Sequence, residues 1–139
     1  MKSKARAVVI GGGVVGVSTL YHLAAKGWDD SILLERKSLT SGSTWHAAGL
    51  LPLFNMSYSV GQIHKYSVRF YQELQDETGM DVGFRKVSNI RLASTQDRMD
   101  EYLQYKGVAD TIGVEVNVLS PQEIKDCWPL VSTENLIGA

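Results

Sequence analysis

The stretch AVVIGGGVVG, residues 7–16, decides how the first part of this 139-residue chain folds. The apolar, β-branched run from Ala5 to Ile10 is typical of a parallel strand that is covered on both faces. Three glycines follow in the pattern G-x-G-x-x-G, at Gly11, Gly13 and Gly16. A side chain at these positions would respectively obstruct a tight turn, hold a pyrophosphate away from the backbone, and push a helix off its strand. The pattern predicts a dinucleotide-binding turn.

The residues after that turn complete a βαβ unit. Val14 to Lys26 carries apolar residues near helical spacing, and Gly27 follows as a helix stop. Ser31 to Leu34 is a second short apolar run, and the strand–helix–strand order within about 30 residues has the size of a βαβ unit. Free N–H groups at the start of such a helix favour phosphate, and Gly12 adds backbone freedom to the turn.

Glu35 ends the second predicted strand, about 20 residues after the glycines. Its carboxylate there can accept hydrogen bonds from the ribose hydroxyls of an adenosine, and it would repel a 2′-phosphate, which disfavours NADP. The alternative is that the glycines form a generic turn and Glu35 is a surface charge. The two strands and the helix around the motif argue against that alternative. The glycine pattern by itself does not separate FAD from NAD.

A small, polar segment follows the acid, TSGSTWHAAGL at residues 40–50. It has neither a helical nor a strand period, so we expect a loop that runs back along a bound dinucleotide. Ser43 and Thr44 can offer hydroxyls and backbone N–H groups to phosphates. Gly42 and Gly49 let the backbone come close to a ligand.

Composition excludes several classes of function. Lys and Arg number 14 and Asp and Glu 15, a net charge of −1, without the clustered positive charge that nucleic acid or an anionic membrane needs. The single cysteine, Cys127, excludes disulfide frameworks and the usual Cys-rich zinc sites, and we expect a buried, unreactive thiol. His22 and His64 are expected to be surface or packing residues rather than metal ligands.

The N-terminus imitates a signal peptide, because basic residues precede an apolar run. Glycines interrupt that run, and it is far shorter than the roughly 20 residues that a spanning helix needs. We therefore expect no targeting segment and no membrane span.

The segment GSTWHAAGL, residues 42–50, resembles the flavin-attachment segment of the dimethylglycine and sarcosine dehydrogenases, which are FAD-dependent amine oxidoreductases. The similarity continues through VGF at 82–84, SNIRLA at 88–93 and WPL at 128–130, and covers essentially the whole chain. The resemblance implies an α/β fold with a Rossmann-like FAD-binding domain, of the glutathione-reductase or D-amino-acid-oxidase type. The TWHAAG segment is much more specific than the glycine motif, which many flavoproteins share.

The resemblance also implies a role for His46. In the family, the matching histidine is bonded to the 8α carbon of the flavin, where a neutral imidazole nitrogen can act as the nucleophile. In the family this covalent link raises the oxidising power of the flavin. The alternative is that His46 forms a hydrogen bond to FAD without a covalent bond. Trp45 would wall the flavin or fill core volume, and Arg36 would approach the adenosine or be solvated. The expected FAD-binding residues are Gly11, Gly13, Val14, Val15, Gly16, Glu35, Arg36, Gly42, Ser43, Thr44, Trp45, His46, Ala47, Ala48, Gly49 and Leu50.

The division of the chain is implied in the same way. Residues 1–83 would be the N-terminal part of an FAD-binding domain that is incomplete in this chain. Residues 84–139 would begin an α+β substrate domain that interrupts it. No catalytic residue is expected within the chain. The location would be the cytoplasm, or the mitochondrial matrix in a eukaryote.

The implied reaction is oxidative demethylation of a small N-methylated amino acid, such as dimethylglycine or sarcosine. Oxygen or an electron-transfer flavoprotein would accept the electrons, and tetrahydrofolate is a candidate second cofactor of the full-length protein. Two alternatives stay open. One is a non-catalytic module that binds NAD or FAD noncovalently, against which the TWH segment argues. The other is a related FAD amino-acid oxidase, of the glycine oxidase or proline dehydrogenase kind.

The chain beyond residue 50 predicts further elements but little chemistry. Ser59 to Gln62 has the form of a capping box that opens a helix ending at Thr78, and Ser120 to Glu123 has the same form before a short helix. A further helix is expected over residues 95–112, and strands are expected over 84–94, 115–119 and 136–138.

Overall fold

The computed structural model describes residues 4–139, which form two compact units that divide after Leu50. The first unit contains β1 (Ala7–Ile10), α1 (Val14–Ala25), β2 (Ser31–Leu34) and one 3₁₀ turn (Ser43–His46). The second contains α2 (Tyr58–Thr78), α3 (Gln96–Ile112) and α4 (Pro121–Cys127).

The first unit is the βαβ unit that the sequence predicts. β1 and β2 pair in parallel, with Ala7 opposite Ser31 and Ile10 opposite Leu34. α1 connects the two strands, begins directly after Gly13 and ends one residue before Lys26. The glycine turn therefore lies between the carboxyl end of β1 and the amino end of α1, where a dinucleotide-binding turn belongs.

β1 is covered on one face only. Val9 lies toward α1, since its Cγ1 would be 3.5 Å from a Cβ placed on Gly16. Val8 and Ile10 point the other way and are 50% and 85% exposed. The expectation of a strand covered on both faces is therefore wrong for the described chain, because a single helix packs on this two-stranded sheet and shields only the side chains that alternate toward it.

The second unit is built around the end of α3. Ala109, Ile112 and Val114 form a buried cluster, and Gly61 of α2 packs directly against Ile112. A Cβ on Gly61 would overlap the Cδ1 atom of Ile112. The glycine therefore lets α2 and α3 approach each other closely, and other apolar side chains pack around the cluster: Leu53, Val108 and Val116.

The helix boundaries agree with the sequence except at the start of α2. The cap of α2 is Ser57, whose side chain accepts a hydrogen bond from the Val60 N–H at 3.4 Å. The predicted capping box at Ser59 to Gln62 is therefore wrong, because Ser57 begins the helix two residues earlier and places Ser59 inside its first turn. At α4 the predicted box is confirmed: Ser120 and Glu123 cap each other reciprocally.

The predicted strands of the second unit do not form within residues 51–139. Residues 84–94 and 136–138 meet only in one antiparallel bridge, between Ala93 and Gly138. Leu119, at the end of the strand predicted over 115–119, exchanges two backbone hydrogen bonds of 2.9 Å with Ala139. The alternating patterns were misleading because a strand requires a neighbouring strand to pair along its length, and these segments pair at single positions.

Cys127 is exposed, so the expectation of a buried thiol is wrong. Cys127 is the last residue of α4, and the buried side of that helix is occupied by Ile124. No helix among the described residues 4–139 is both long and apolar enough to cross a membrane.

Candidate dinucleotide-binding site

Gly12 joins the glycine turn to the segment that follows β2. Its N–H donates to Oε2 of Glu35 at 2.6 Å, and its carbonyl accepts a hydrogen bond from the Thr40 N–H at 2.9 Å. Gly12 is buried, and a Cβ on it would lie 2.7 Å from Cδ2 of Leu39. Gly12, for which the sequence suggests only added backbone freedom, is thus the buried one among the four glycines of the turn.

Glu35 is held in its ionised form by backbone donors. Besides the Gly12 N–H, the Lys37 N–H donates to Oε1 at 2.8 Å. These two hydrogen bonds, that from Gly12 first, hold the pKa of Glu35 below its ordinary value. Each carboxylate oxygen has a second lone pair, so Glu35 can fix the turn and still accept a ribose hydroxyl.

The glycines of the motif are required for different reasons. Gly11 has φ of +105°, and a Cβ there would meet nothing within 4 Å. Glycine is therefore required by the backbone conformation at this position. The sequence prediction, that a side chain at Gly11 would obstruct the turn, is wrong. A Cβ on Gly16 would overlap the carbonyl oxygen of Gly11 and make only ordinary contact with Val9. A side chain at Gly16 would therefore displace the glycine turn, while the packing of α1 on β1 would tolerate it.

Thr44 caps α1 from a distant part of the chain. Its Oγ1 accepts a hydrogen bond from the Val14 N–H at 2.9 Å. Val14 is the first residue of α1, and the N-cap residue Gly13 has no side chain to offer. The first amides of a helix have no intrahelical acceptor, so the Thr44 hydroxyl satisfies one of them and brings the 3₁₀ turn to the amino end of α1.

Trp45 and His46 lie together on the 3₁₀ turn. Their ring centroids are 4.4 Å apart, with an angle of 42° between the planes. Trp45 is 67% exposed and therefore fills no core among the described residues. His46 is exposed as well, as are Arg36 and the other expected cofactor residues of this segment: Gly42, Ser43, Ala47, Ala48, Gly49 and Leu50. These residues are accessible to a ligand.

The other histidines lie outside this site. In α1, Nδ1 of His22 is 2.7 Å from the carbonyl oxygen of Ser18, which is a local contact within the helix. Nδ1 of His64, on α2, is buried without a hydrogen-bond partner. Across residues 4–139, no three His, Cys, Asp or Glu side chains are grouped so that they could hold a metal ion.

Sequence reasoning missed two connections in this site. The packing of Gly12 against Leu39 and Thr40 had a local signal, since three consecutive glycines exceed what the motif requires. The contact of Thr44 with Val14 had none, because the two residues lie 30 positions apart and no sequence period relates them.

The sequence from residue 6 to residue 139 matches the family described as FAD dependent oxidoreductase, or DAO. The chain is 41% identical, over 99% of its length, to the mitochondrial dimethylglycine dehydrogenase of Rattus norvegicus. It is 42% identical, again over 99%, to the mitochondrial sarcosine dehydrogenase of Homo sapiens. A third relative is the mitochondrial pyruvate dehydrogenase phosphatase regulatory subunit of Mus musculus, at 34% over 100% of the chain. The chain spans only 15 to 16% of the length of these proteins.

Solved structures share the fold. The L-proline dehydrogenase of P. horikoshii superposes with a TM-score of 0.89 at 24% identity, covering 99% of this chain and 36% of that one. The glycine oxidase of Bacillus cereus gives 0.75 at 26% identity, covering 97% and 37%. With its parallel βαβ unit and its match from residue 6 onward, the chain belongs to the FAD-dependent oxidoreductase family and has part of a Rossmann-like, DAO-type FAD-binding fold.

Proposed function

We propose that this chain binds FAD in an enzyme that oxidises the N-methyl group of a small N-methylated amino acid, of the dimethylglycine or sarcosine type. The observation that carries the cofactor part is the position of an ionised Glu35 beside the glycine turn, 2.6 Å from the Gly12 N–H. It puts an acceptor for ribose hydroxyls next to a helix start that favours phosphate.

The described residues fit an adenine dinucleotide. The space beside Gly11 is open, and Gly13 has only the Thr44 hydroxyl near the position that a Cβ would take. Val15 and Gly16, in the first turn of α1, have amides without an intrahelical acceptor. In the proposed complex these amides bind the pyrophosphate, while Glu35 binds the ribose. Bound FAD would supply the chemistry, by accepting a hydride, that is two electrons and one proton, from the N-methyl carbon.

The segment from Gly42 to Leu50 serves the flavin half in this proposal, with His46 as the point of attachment. A bond from a ring nitrogen of His46 to the 8α carbon would replace one methyl C–H bond and the imidazole N–H bond. Its formation would release two protons to solvent and two electrons to the enzyme's own electron acceptor. The position of His46 on the 3₁₀ turn supports this role, because the residue is exposed and a cofactor can reach it.

The substrate class rests on the relatives. The dimethylglycine and sarcosine dehydrogenases are 41 and 42% identical to the chain. Because both relatives are mitochondrial, we infer a matrix location in a eukaryote. The oxygen or electron-transfer flavoprotein acceptor and tetrahydrofolate stay predictions from the sequence resemblance. Residues 1–83 would belong to the FAD domain and residues 84–139 to the substrate domain. The groups that act on the amine would lie outside this chain.

The proposal is tested on the full-length protein by anaerobic titration. Dimethylglycine, sarcosine, glycine and proline are each added to the oxidised protein, and the loss of the flavin absorbance is followed. Reduction by an N-methylated amino acid well below the concentration at which glycine or proline acts is expected. Reduction by glycine or proline alone would replace the proposal with a related amino-acid oxidase.

A second candidate is a non-catalytic regulatory module, which the 34% identity to a phosphatase regulatory subunit favours. It predicts that flavin or NAD binds and that no amine reduces it. The TWHAAG segment, whose exposed His46 has no evident use in such a module, argues for the enzyme.

A further inference from the structure

We propose that Thr44 is a positioning residue for flavin attachment, because its hydroxyl fixes the 3₁₀ turn that carries His46 against the start of α1. The inference rests on the proposed function, since it takes His46 as the attachment point. It replaces the prediction that Thr44 binds the cofactor through its hydroxyl. In this proposal the hydroxyl accepts from the Val14 N–H, and Thr44 acts through the placement of His46.

Two hydrogen bonds of Thr44 fix the turn that carries His46. The side chain accepts from the Val14 N–H at 2.9 Å, and the carbonyl accepts from the Ala47 N–H at 3.2 Å. The first bond ties the turn to the amino end of α1, and the second closes the turn over Trp45 and His46. The backbone of His46 is therefore fixed relative to the helix that would hold the pyrophosphate.

The burial pattern distinguishes Thr44 from its neighbours. It is half-buried, whereas the residues from Trp45 to Leu50 and Gly42 and Ser43 are exposed. Thr44 is thus the inward-facing anchor of an outward-facing segment. Such an anchor is what a nucleophile on an exposed turn requires, because placement within about half an ångström decides whether a reacting pair meets.

Gly13 provides the space for this anchor. A Cβ on Gly13 would lie 3.0 Å from Oγ1 of Thr44, closer than side chains ordinarily approach. The second glycine of the motif therefore has a use within the protein itself, in addition to any approach of a pyrophosphate. Because Gly13 has no side chain, the Thr44 hydroxyl can reach the start of α1, and this contact links the glycine turn to the segment from Gly42 to Leu50.

The ADP half would be bound by other groups, so loss of the Thr44 hydroxyl should affect attachment more than binding. Glu35 and the amides of Val15 and Gly16 remain in Thr44→Val, which keeps the shape of the side chain and removes its acceptor. Losing one helix-capping hydrogen bond corresponds to a factor of about five to ten in the population of the capped state. We expect attachment to slow by that factor.

The experiment uses the full-length protein, prepared without cofactor and then mixed with FAD. Total flavin is measured after gel filtration, and attached flavin as the yellow colour that stays in an acid precipitate, over time. Thr44→Val and Thr44→Ala are compared with Thr44→Ser, which keeps the hydroxyl, and with Ser41→Ala, which removes an exposed hydroxyl from the same loop. Thermal midpoints are recorded for all of them.

The expected result is slow attachment in Thr44→Val and Thr44→Ala, with near-normal total flavin, and attachment at the wild-type rate in Thr44→Ser and Ser41→Ala. Wild-type rates in both hydroxyl-free variants would overturn the positioning role alone. Total flavin that falls in parallel with attachment would also overturn it, since Thr44 would then be a binding group for FAD. A wild-type protein without attached flavin would instead refute the proposed role of His46, and this inference with it.

Discussion

The carboxylate of Glu35 and the backbone N–H of Gly12 are joined by a hydrogen bond of 2.6 Å. This bond ties the end of β2 to the turn that follows β1, so the acid that is expected to select the ribose also holds the phosphate-binding turn in shape. The same two residues therefore determine the local fold and the cofactor site. Changes at either should alter both.

Replacing Glu35 by Gln should loosen the turn. Two backbone donors, from Gly12 and Lys37, face the two carboxylate oxygens, and an amide group can accept from only one of them while its NH₂ opposes the other. We expect a lower thermal midpoint and weaker FAD binding in Glu35→Gln. Glu134→Gln, at an exposed acid far along the chain, is the control and should change neither. Equal behaviour of the two variants would show that Glu35 does not organise the turn.

The contribution of Glu35 to stability should depend on pH. The hydrogen bonds from Gly12 and then Lys37 lower the pKa of Glu35 in the folded protein from 4.5, so the folded state favours the ionised form. Its stabilisation is therefore complete above the unfolded pKa and is lost as pH falls through the folded pKa. We expect the difference in denaturant midpoint between wild type and Glu35→Gln to be constant near neutral pH and to shrink below about pH 4.5. A difference that grows on acidification would contradict this assignment.

Two glycines in helices should respond to alanine in opposite directions. A Cβ at Gly61 would overlap Cδ1 of Ile112, whereas one at Gly107 of α3 would meet nothing within 4 Å. Gly61→Ala should cost about 1–3 kcal/mol in the free energy of unfolding, and Gly107→Ala should add about 0.5–1 kcal/mol because alanine restricts the unfolded chain and favours helix.

A compensating change at Ile112 tests whether contact between the two residues causes the loss of stability in Gly61→Ala. Ile112→Val removes the Cδ1 atom that the new Cβ would meet, so the double variant Gly61→Ala/Ile112→Val should recover part of the loss measured by chemical denaturation. Strictly additive losses would mean that the contact between α2 and α3 is not what makes Gly61 necessary.

Local sequence patterns predicted much of this fold because local forces determine it. The glycine turn, α1 and the capping box of Ser120 each depend on residues within a few positions of one another. The strands expected over 84–94 and 115–119 failed because pairing depends on a second segment that no local pattern identifies. The Thr44 cap on Val14 was unpredictable for the same reason, since the acceptor belongs to a loop that tertiary structure brings to the helix.

Acid precipitation of the full-length protein distinguishes flavin that is bonded to His46 from flavin that is only bound. Wild type, His46→Ala and His22→Ala are precipitated, and the colour of pellet and supernatant is compared; His22 is the matched control because it lies within α1, outside the loop of residues 40–50. We expect colour in the pellets of wild type and His22→Ala, and in the supernatant of His46→Ala. Flavin in every supernatant would contradict covalent attachment at His46. The absence of flavin from every well-folded sample would contradict the proposal that this chain binds FAD.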